Sequence, residues 1–146
     1  LICILQPEPL LIRADSRRIW RVLENLYVNV CKYAMPGTRV YVDAIKKDGK
    51  IQFSIKNISE NPLNFQADEL TERFIRGDVS RSTEGSGLGL SIAKNLTVLQ
   101  HGTFNIYLDG DLFKVTITFD EAVKEKKPMS PMIVPEPVQE EAQQDV

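Results

Sequence analysis

Residues 16–34 read Ser16-Arg17-Arg18-Ile19-Trp20-Arg21-Val22-Leu23-Glu24-Asn25-Leu26-Tyr27-Val28-Asn29-Val30-Cys31-Lys32-Tyr33-Ala34. Ile19, Leu23, Leu26, Val30 and Ala34 recur at intervals of three and four, which is the period of one helix face. Asp15 stands where an N-cap is needed, and Met35-Pro36-Gly37 stops the helix. Upstream, Leu10-Leu11-Ile12 predicts a short buried strand. Downstream, Val40, Val42 and Ala44 alternate at strand period, Lys47-Asp48-Gly49-Lys50 supplies a hairpin turn, and Ile51, Phe53 and Ile55 return. Residues 57–66 are expected to be loop, followed by a short helix near 67–73 and a polar, glycine-bearing stretch at 75–87. A second long helix is predicted over 88–100, with Leu88, Ile92, Leu96 and Leu99 on its core face and His101-Gly102 as its cap. Strands at 103–108 and 112–119 flank Asp109-Gly110-Asp111. The order β-α-β-β-α-α-β-β predicts an α/β (α+β) two-layer sandwich, a mixed sheet with helices packed on one face.

The chain has 146 residues and a formal net charge of -2, so it holds one domain's worth of sequence. No run approaches the ~18 apolar residues of a membrane-spanning helix. Cys3 and Cys31 are read as buried, reduced thiols rather than a disulfide scaffold. The lone His101 leaves no histidine pair for a metal. The near-neutral charge predicts no bulk attraction to nucleic acid or to an anionic membrane.

Leu1-Ile2-Cys3-Ile4-Leu5 reads as the remnant of a strand, so residues 1–120 are expected to be a domain truncated at its N-terminus. Residues 121–146 contain Pro128, Pro131, Pro135 and Pro137 and no aromatic residue. They hold three lysines against six acids, a net of -3, which leaves +1 on the first 120 residues. Such an acidic, Pro-rich tail is expected to be disordered; a docking segment in extended form is the alternative.

Asn25, Asn29 and Lys32 are four and three apart and share one stripe of the first helix, extended by Arg18 and Arg21. An exposed stripe of this kind is commonly just solvated. Asparagine, however, is a poor interior helix former, and its carbonyl can ligate a hard cation such as Mg²⁺ beside phosphate oxygens. A lysine one turn on can meet a phosphate as a point charge. Gly85-Ser86-Gly87-Leu88-Gly89-Leu90 opens the second long helix, where close backbone approach and unpaired N–H groups suit phosphate. It is not the dinucleotide fingerprint, which needs glycine or alanine where Leu90 stands and a strand just before. Nor is it a P-loop, since Gly89-Leu90-Ser91 lacks the lysine. Phe74 to Glu84, with Arg76 and Arg81, could close over a phosphate as a lid or could simply be an exposed loop.

Together these segments resemble the catalytic ATP-binding domain of bacterial sensor histidine kinases, within the gyrase, chaperone, kinase and mismatch-repair ATPase superfamily. Arg21 to Leu26 through Asn29, Lys32 and Tyr33 is similar to the family's N box. Glu72 to Asp78 with Ser80-Arg81 is similar to its F box and lid, and Gly85 to Leu90 to its last glycine box. The resemblance spans about residues 10–119, with the motifs in family order. It implies a Bergerat-type fold that binds ATP and Mg²⁺ and passes the γ-phosphate to a histidine on a separate dimerisation domain, from which a response regulator receives it. It implies Asn29 as the Mg²⁺ ligand, Asn25 and Lys32 as phosphate supports, and Arg76 and Arg81 near the γ-phosphate. Tyr33, Asn57, Phe74, Gly85, Ser86, Gly87, Leu88 and Gly89 would line the nucleotide. A cytoplasmic catalytic portion of a plasma-membrane sensor is the implied location.

The sequence departs from the family in one stretch. Where the family carries Asp-x-Gly-x-Gly, with the aspartate accepting the adenine amino hydrogen, this chain has Asn57-Ile58-Ser59-Glu60-Asn61. Asn57 keeps a carbonyl acceptor and loses the charge, at a cost on the order of 1 kcal/mol of base recognition. Weak ATP binding is therefore expected, with a non-catalytic nucleotide-sensing or docking module as the alternative. A stand-alone ATPase is disfavoured. Its relatives place a water-activating glutamate at the position of Asn25, and Glu24 is rotated ~100° from it. The phosphoacceptor is not expected in this chain, because His101-Gly102 reads as a helix end.

Overall fold

The computed structural model describes residues 1–63 and 88–122. In chain order the elements are β1 (Ile2–Leu5), α1 (Ser16–Tyr33), β2 (Tyr41–Lys47), β3 (Lys50–Ile58), α2 (Gly89–Leu99), β4 (Thr103–Asp109) and β5 (Leu112–Asp120). The strands form one five-stranded sheet in the order β1-β2-β3-β5-β4, with β1 parallel to β2 and every other pair antiparallel. Both helices among the described residues cover one face of it, so the mixed sheet with one helical layer is as expected. The short helix expected near 67–73 and the tail from 123 onward lie outside the described residues.

Strand alternation decides which side chains meet the helices. Val42 of β2, Ile55 of β3 and Val115 of β5 stand in register on the inner face and join Val22, Leu26 and Val30 of α1 in one core. Leu26 and Ile55 are each 1 % exposed, and burial of such a side chain stabilises by about 1.5–3 kcal/mol. The outer face is polar. There Ser54 Oγ donates to Asp43 Oδ2 at 3.2 Å, and Lys56 lies 5.4 Å from the Tyr41 ring centroid.

The turns follow the residues that form them. Asp48 and Gly49 both have positive φ (51° and 71°), as a two-residue hairpin requires. Asp15 caps α1 by accepting from the Arg18 N–H at 3.0 Å. α2 ends with the His101 N–H on the Val98 carbonyl and the Gly102 N–H on the Thr97 carbonyl, at 2.9 and 3.0 Å. This is the paired C-terminal motif expected of a capped helix. His101 takes the left-handed conformation (φ 63°), while a Cβ on Gly102 would stand 2.6 Å from the Phe119 ring and 2.9 Å from Thr97.

Four expectations are corrected. Leu10-Leu11-Ile12 is not a strand; Ile12 makes a single bridge to Glu121, and the Ala122 N–H donates to the Leu11 carbonyl. The chain is therefore anchored through Ala122. Residues 57 and 58 are strand rather than loop, because β3 extends through Ile58 along β5. Cys3 and Cys31 are exposed, not buried: β1 is an edge strand, and Cys31 lies ~140° around α1 from Leu26. On α2 the buried positions are Leu90, Ala93 and Thr97, while Leu88 and Leu99 are exposed. That helix is apolar on most of its circumference, so periodicity could not choose its core side.

Candidate functional site

α1 and α2 run antiparallel. The Asp15 N–H at the start of α1 donates to Gln100 Oε1 just beyond the end of α2, at 2.8 Å. Ten residues further along α1, Asn25 meets the start of α2: a Cβ added to Gly89 would lie 3.2 Å from Asn25 Oδ1. Asn25 and Gly89, 64 residues apart in sequence, are thus brought together. Asn25 Nδ2 donates to the Arg21 carbonyl at 2.7 Å, and this bond leaves Oδ1 turned toward the opening of α2. Asn29, one turn on, is half-buried, whereas Lys32 is exposed and Tyr33 is 39 % exposed. Glu24 is exposed, 3.8 Å from Arg21 in an i,i+3 pair, and sits ~100° from Asn25 on the wheel.

The end of β3 is fastened beside the C-terminal end of α1. The Met35 N–H donates to the Ile58 carbonyl at 2.8 Å, and the Glu60 N–H donates to the Tyr33 carbonyl at 2.9 Å. Ser59 bridges Ala34, and its N–H donates to the Asp111 carbonyl at 2.8 Å. This tethering carries Asn57 to the end of the molecule where Asn29 and Lys32 lie. Asn57 points to the helical face of the sheet, in line with Ile51, Phe53 and Ile55, and pairs with Phe113.

Asn57 is 3 % exposed. Its Nδ2 donates to the Ile58 carbonyl at 3.1 Å, and its Oδ1 is buried with no hydrogen-bond partner. Leaving a buried acceptor unpaired costs about 1–3 kcal/mol, and folded proteins rarely tolerate that without a ligand or water. The alternation of Ile51, Phe53 and Ile55 was the signal that residue 57 faces inward; reading the segment as loop concealed it. Of the other expected site residues, Leu88 is described and 40 % exposed beside Gly89. Phe74, Arg76, Arg81, Gly85, Ser86 and Gly87 lie outside the described residues. An open cavity of about 450 Å³ lies at the far end of α2, by Arg13, Gln100 and His101, away from the asparagines.

Known proteins share both sequence and architecture with this chain. Sensor histidine kinase HprS of Escherichia coli is 32% identical over 106 residues, covering 71% of this chain and 23% of that protein. Probable sensor histidine kinase TcrY of Mycobacterium tuberculosis is 34% identical over 105 residues, covering 70% and 22%. The chain thus spans less than a quarter of these relatives. Among solved structures, the mycobacterial sensor histidine kinase MprB superposes with a TM-score of 0.66 at 24% identity, covering 82% of this chain and 81% of that one. The catalytic domain of histidine kinase ThkA gives 0.68 at 23% identity, covering 82% and 78%; at these identities the likeness shows the fold. Residues 14–124 match the family described as "Histidine kinase-, DNA gyrase B-, and HSP90-like ATPase". This chain belongs to that family, as the ATP-binding type of domain found in sensor histidine kinases.

Proposed function

We propose that this chain binds Mg-ATP and transfers the γ-phosphate to a histidine on a separate dimerisation domain of a two-component sensor kinase. The observation that carries the reading is Asn57 Oδ1, a buried acceptor without a partner, at the position where the family reads adenine. It is the atom an exocyclic amine would satisfy, which supports nucleotide binding. The contact between Asn25 and Gly89 is the second support. A side chain at residue 89 would press on the amide, so the glycine keeps the opening of α2 free for phosphate oxygens.

In this reading Asn29 ligates Mg²⁺, Asn25 and Lys32 support the phosphates, and Tyr33 and Leu88 border the nucleotide. The glycines Gly85, Gly87 and Gly89, with Ser86 and Phe74, enclose it, and Arg76 and Arg81 approach the γ-phosphate. Bound Mg²⁺ supplies charge neutralisation along the phosphate chain. Catalysis by the chain's own residues is then positioning and electrostatics. The position that would hold a water-activating carboxylate is Asn25, which has no basic oxygen to offer. Glu24 is exposed and paired with Arg21. The nucleophile and its base must come from the acceptor domain, which favours kinase over ATPase chemistry. A response regulator downstream and a membrane-anchored parent sensor complete the proposal.

Calorimetry of the chain with a non-hydrolysable Mg-ATP analogue tests binding; no heat up to millimolar ligand would refute it. Mixing the chain and ATP with the histidine-bearing domain of its parent protein tests transfer. Phosphohistidine is expected, and its absence with binding intact would leave the non-catalytic module.

A further inference from the structure

Among the described residues β1 is an edge strand, paired with β2 alone. Ile2, Cys3, Ile4 and Leu5 are all exposed, so both faces of the strand present apolar side chains to water. An apolar edge of this kind is a template for another strand, and folded proteins cover or blunt it. The Ile2 N–H donates to the Val40 carbonyl at 2.7 Å. By alternation the backbone groups of Ile2 and Ile4 face β2, and those of Cys3 and Leu5 face outward.

The C-terminal end of the described chain lies at the right end of the sheet to reach this edge. β1 runs parallel to β2, toward the Asp48-Gly49 hairpin, and β5 finishes at the same end, where Asp120 pairs with Lys50. There the Lys46 N–H donates to Gln6 Oε1 at 2.9 Å, and Lys46 Nζ pairs with Glu121 at 2.7 Å. Passing from β5 to the outside of β1 crosses β3 and β2, a distance of about 19 Å at the usual strand spacing. Residues 123–131 can extend to about 30 Å, which is more than enough.

The sequence that follows is Pro131-Met132-Ile133-Val134-Pro135-Glu136-Pro137. In an extended segment alternate residues turn their N–H groups to the same side. Pro131, Pro135 and Pro137 share one phase, so every missing donor falls on one side, and the N–H groups of Met132, Val134 and Glu136 fall on the other. Proline is accepted in an edge strand when its nitrogen faces solvent. We infer that residues 132–134 add to β1 of the same chain as an antiparallel strand, with the prolines facing outward. Met132 stands opposite Leu5 and Val134 opposite Cys3, each pair exchanging backbone hydrogen bonds, while Ile133 meets Ile4 on the solvent face. The apolar edge is thereby covered, and the prolines stop a further strand from adding. A tethered segment is favoured over a second copy, because its effective concentration is of about millimolar order.

The test is amide hydrogen exchange of the full 146-residue chain, read at Leu5 in the wild type and in two proline variants. Exchange at Leu5 is expected to be at least about tenfold faster in Met132→Pro, which removes an inward donor, than in the wild type. Ile133→Pro, whose lost N–H faces outward, should leave Leu5 protected. Cross-linking gives a second readout. In a Cys31→Ser background, Val134→Cys should join Cys3 within one chain when diamide takes up the two thiol hydrogens. Hydrogen-bonded antiparallel partners stand ~5.5 Å apart at Cα, within the range of a disulfide. Ile133→Cys, on the opposite face, should lag behind. If the wild-type Leu5 amide exchanges like that of an unstructured peptide, or if Ile133→Pro releases it as Met132→Pro does, the inference is overturned. Cross-links that join two chains at micromolar protein would equally overturn it and assign the edge to a second copy.

Discussion

The two ends of α2 each carry a glycine pressed against another element, and the two differ in what presses on them. At Gly102 the neighbours are the Phe119 ring and Thr97, at 2.6 and 2.9 Å from a notional Cβ. Thr97 is fully buried and Phe119 is 6 % exposed, so neither has room to retreat. At Gly89 the neighbour is Asn25 Oδ1, at 3.2 Å, a half-buried polar group on the rim of the candidate site. The first glycine lets the core close, and the second leaves room for a polar amide that the proposed function sets beside the phosphates. Close approach alone therefore does not mark a functional glycine; the chemistry of the atom it approaches does.

This contrast can be sharpened or broken by substitution. The largest effect is expected on the side of the asparagine stripe: Asn29→Ala should abolish phosphohistidine formation in the mixed-domain assay while leaving the thermal unfolding midpoint nearly unchanged. Persistent transfer would remove the divalent-ion role of this stripe. Gly102→Ala should lower stability by about 1–3 kcal/mol through overpacking, read by urea unfolding, without altering nucleotide affinity. Adding Phe119→Leu should recover part of the loss if the ring is the obstacle. Asp15→Ala, at the Gln100 end of the helix pair, should cost about 1 kcal/mol through the lost cap, again with affinity unchanged. Gly89→Ala is expected to move stability by less than about 1 kcal/mol, since helix propensity offsets the crowding of Asn25, yet to weaken Mg-ATP-analogue binding. Should Gly89→Ala destabilise as much as Gly102→Ala, the distinction between the two glycines is lost.

Much of the fold was legible because local rules and burial agreed. The α1 stripe predicted the buried Leu26 and Val30 because its other face is polar. The Asp48-Gly49 hairpin was legible because few other residues adopt two successive positive φ values. α2 was legible as a helix but not in its orientation, since Leu88, Ile92 and Leu99 compete on equal terms with Leu90 and Ala93 for the core. Cys3 was misjudged because a run of apolar residues does not say whether the strand is central or at the edge. Asn57 was recognised by its place in a motif, but its burial was missed because turn-forming neighbours such as Asn61 and Pro62 drew the loop boundary too early.

The sequence by itself determined α1, the hairpin that follows it, α2 and the last two strands, the pairing of two asparagines with a lysine on one helical stripe, and the family, since these depend on residue types at short spacing. Only the tertiary structure decided that Asn25 meets Gly89, that His101 rather than Gly102 takes the left-handed turn, and that Asn57 is buried on the helical face of the sheet with an unpaired oxygen. Those facts depend on which atoms from distant segments arrive at the same place, and strand register and helix packing set that, not local preference.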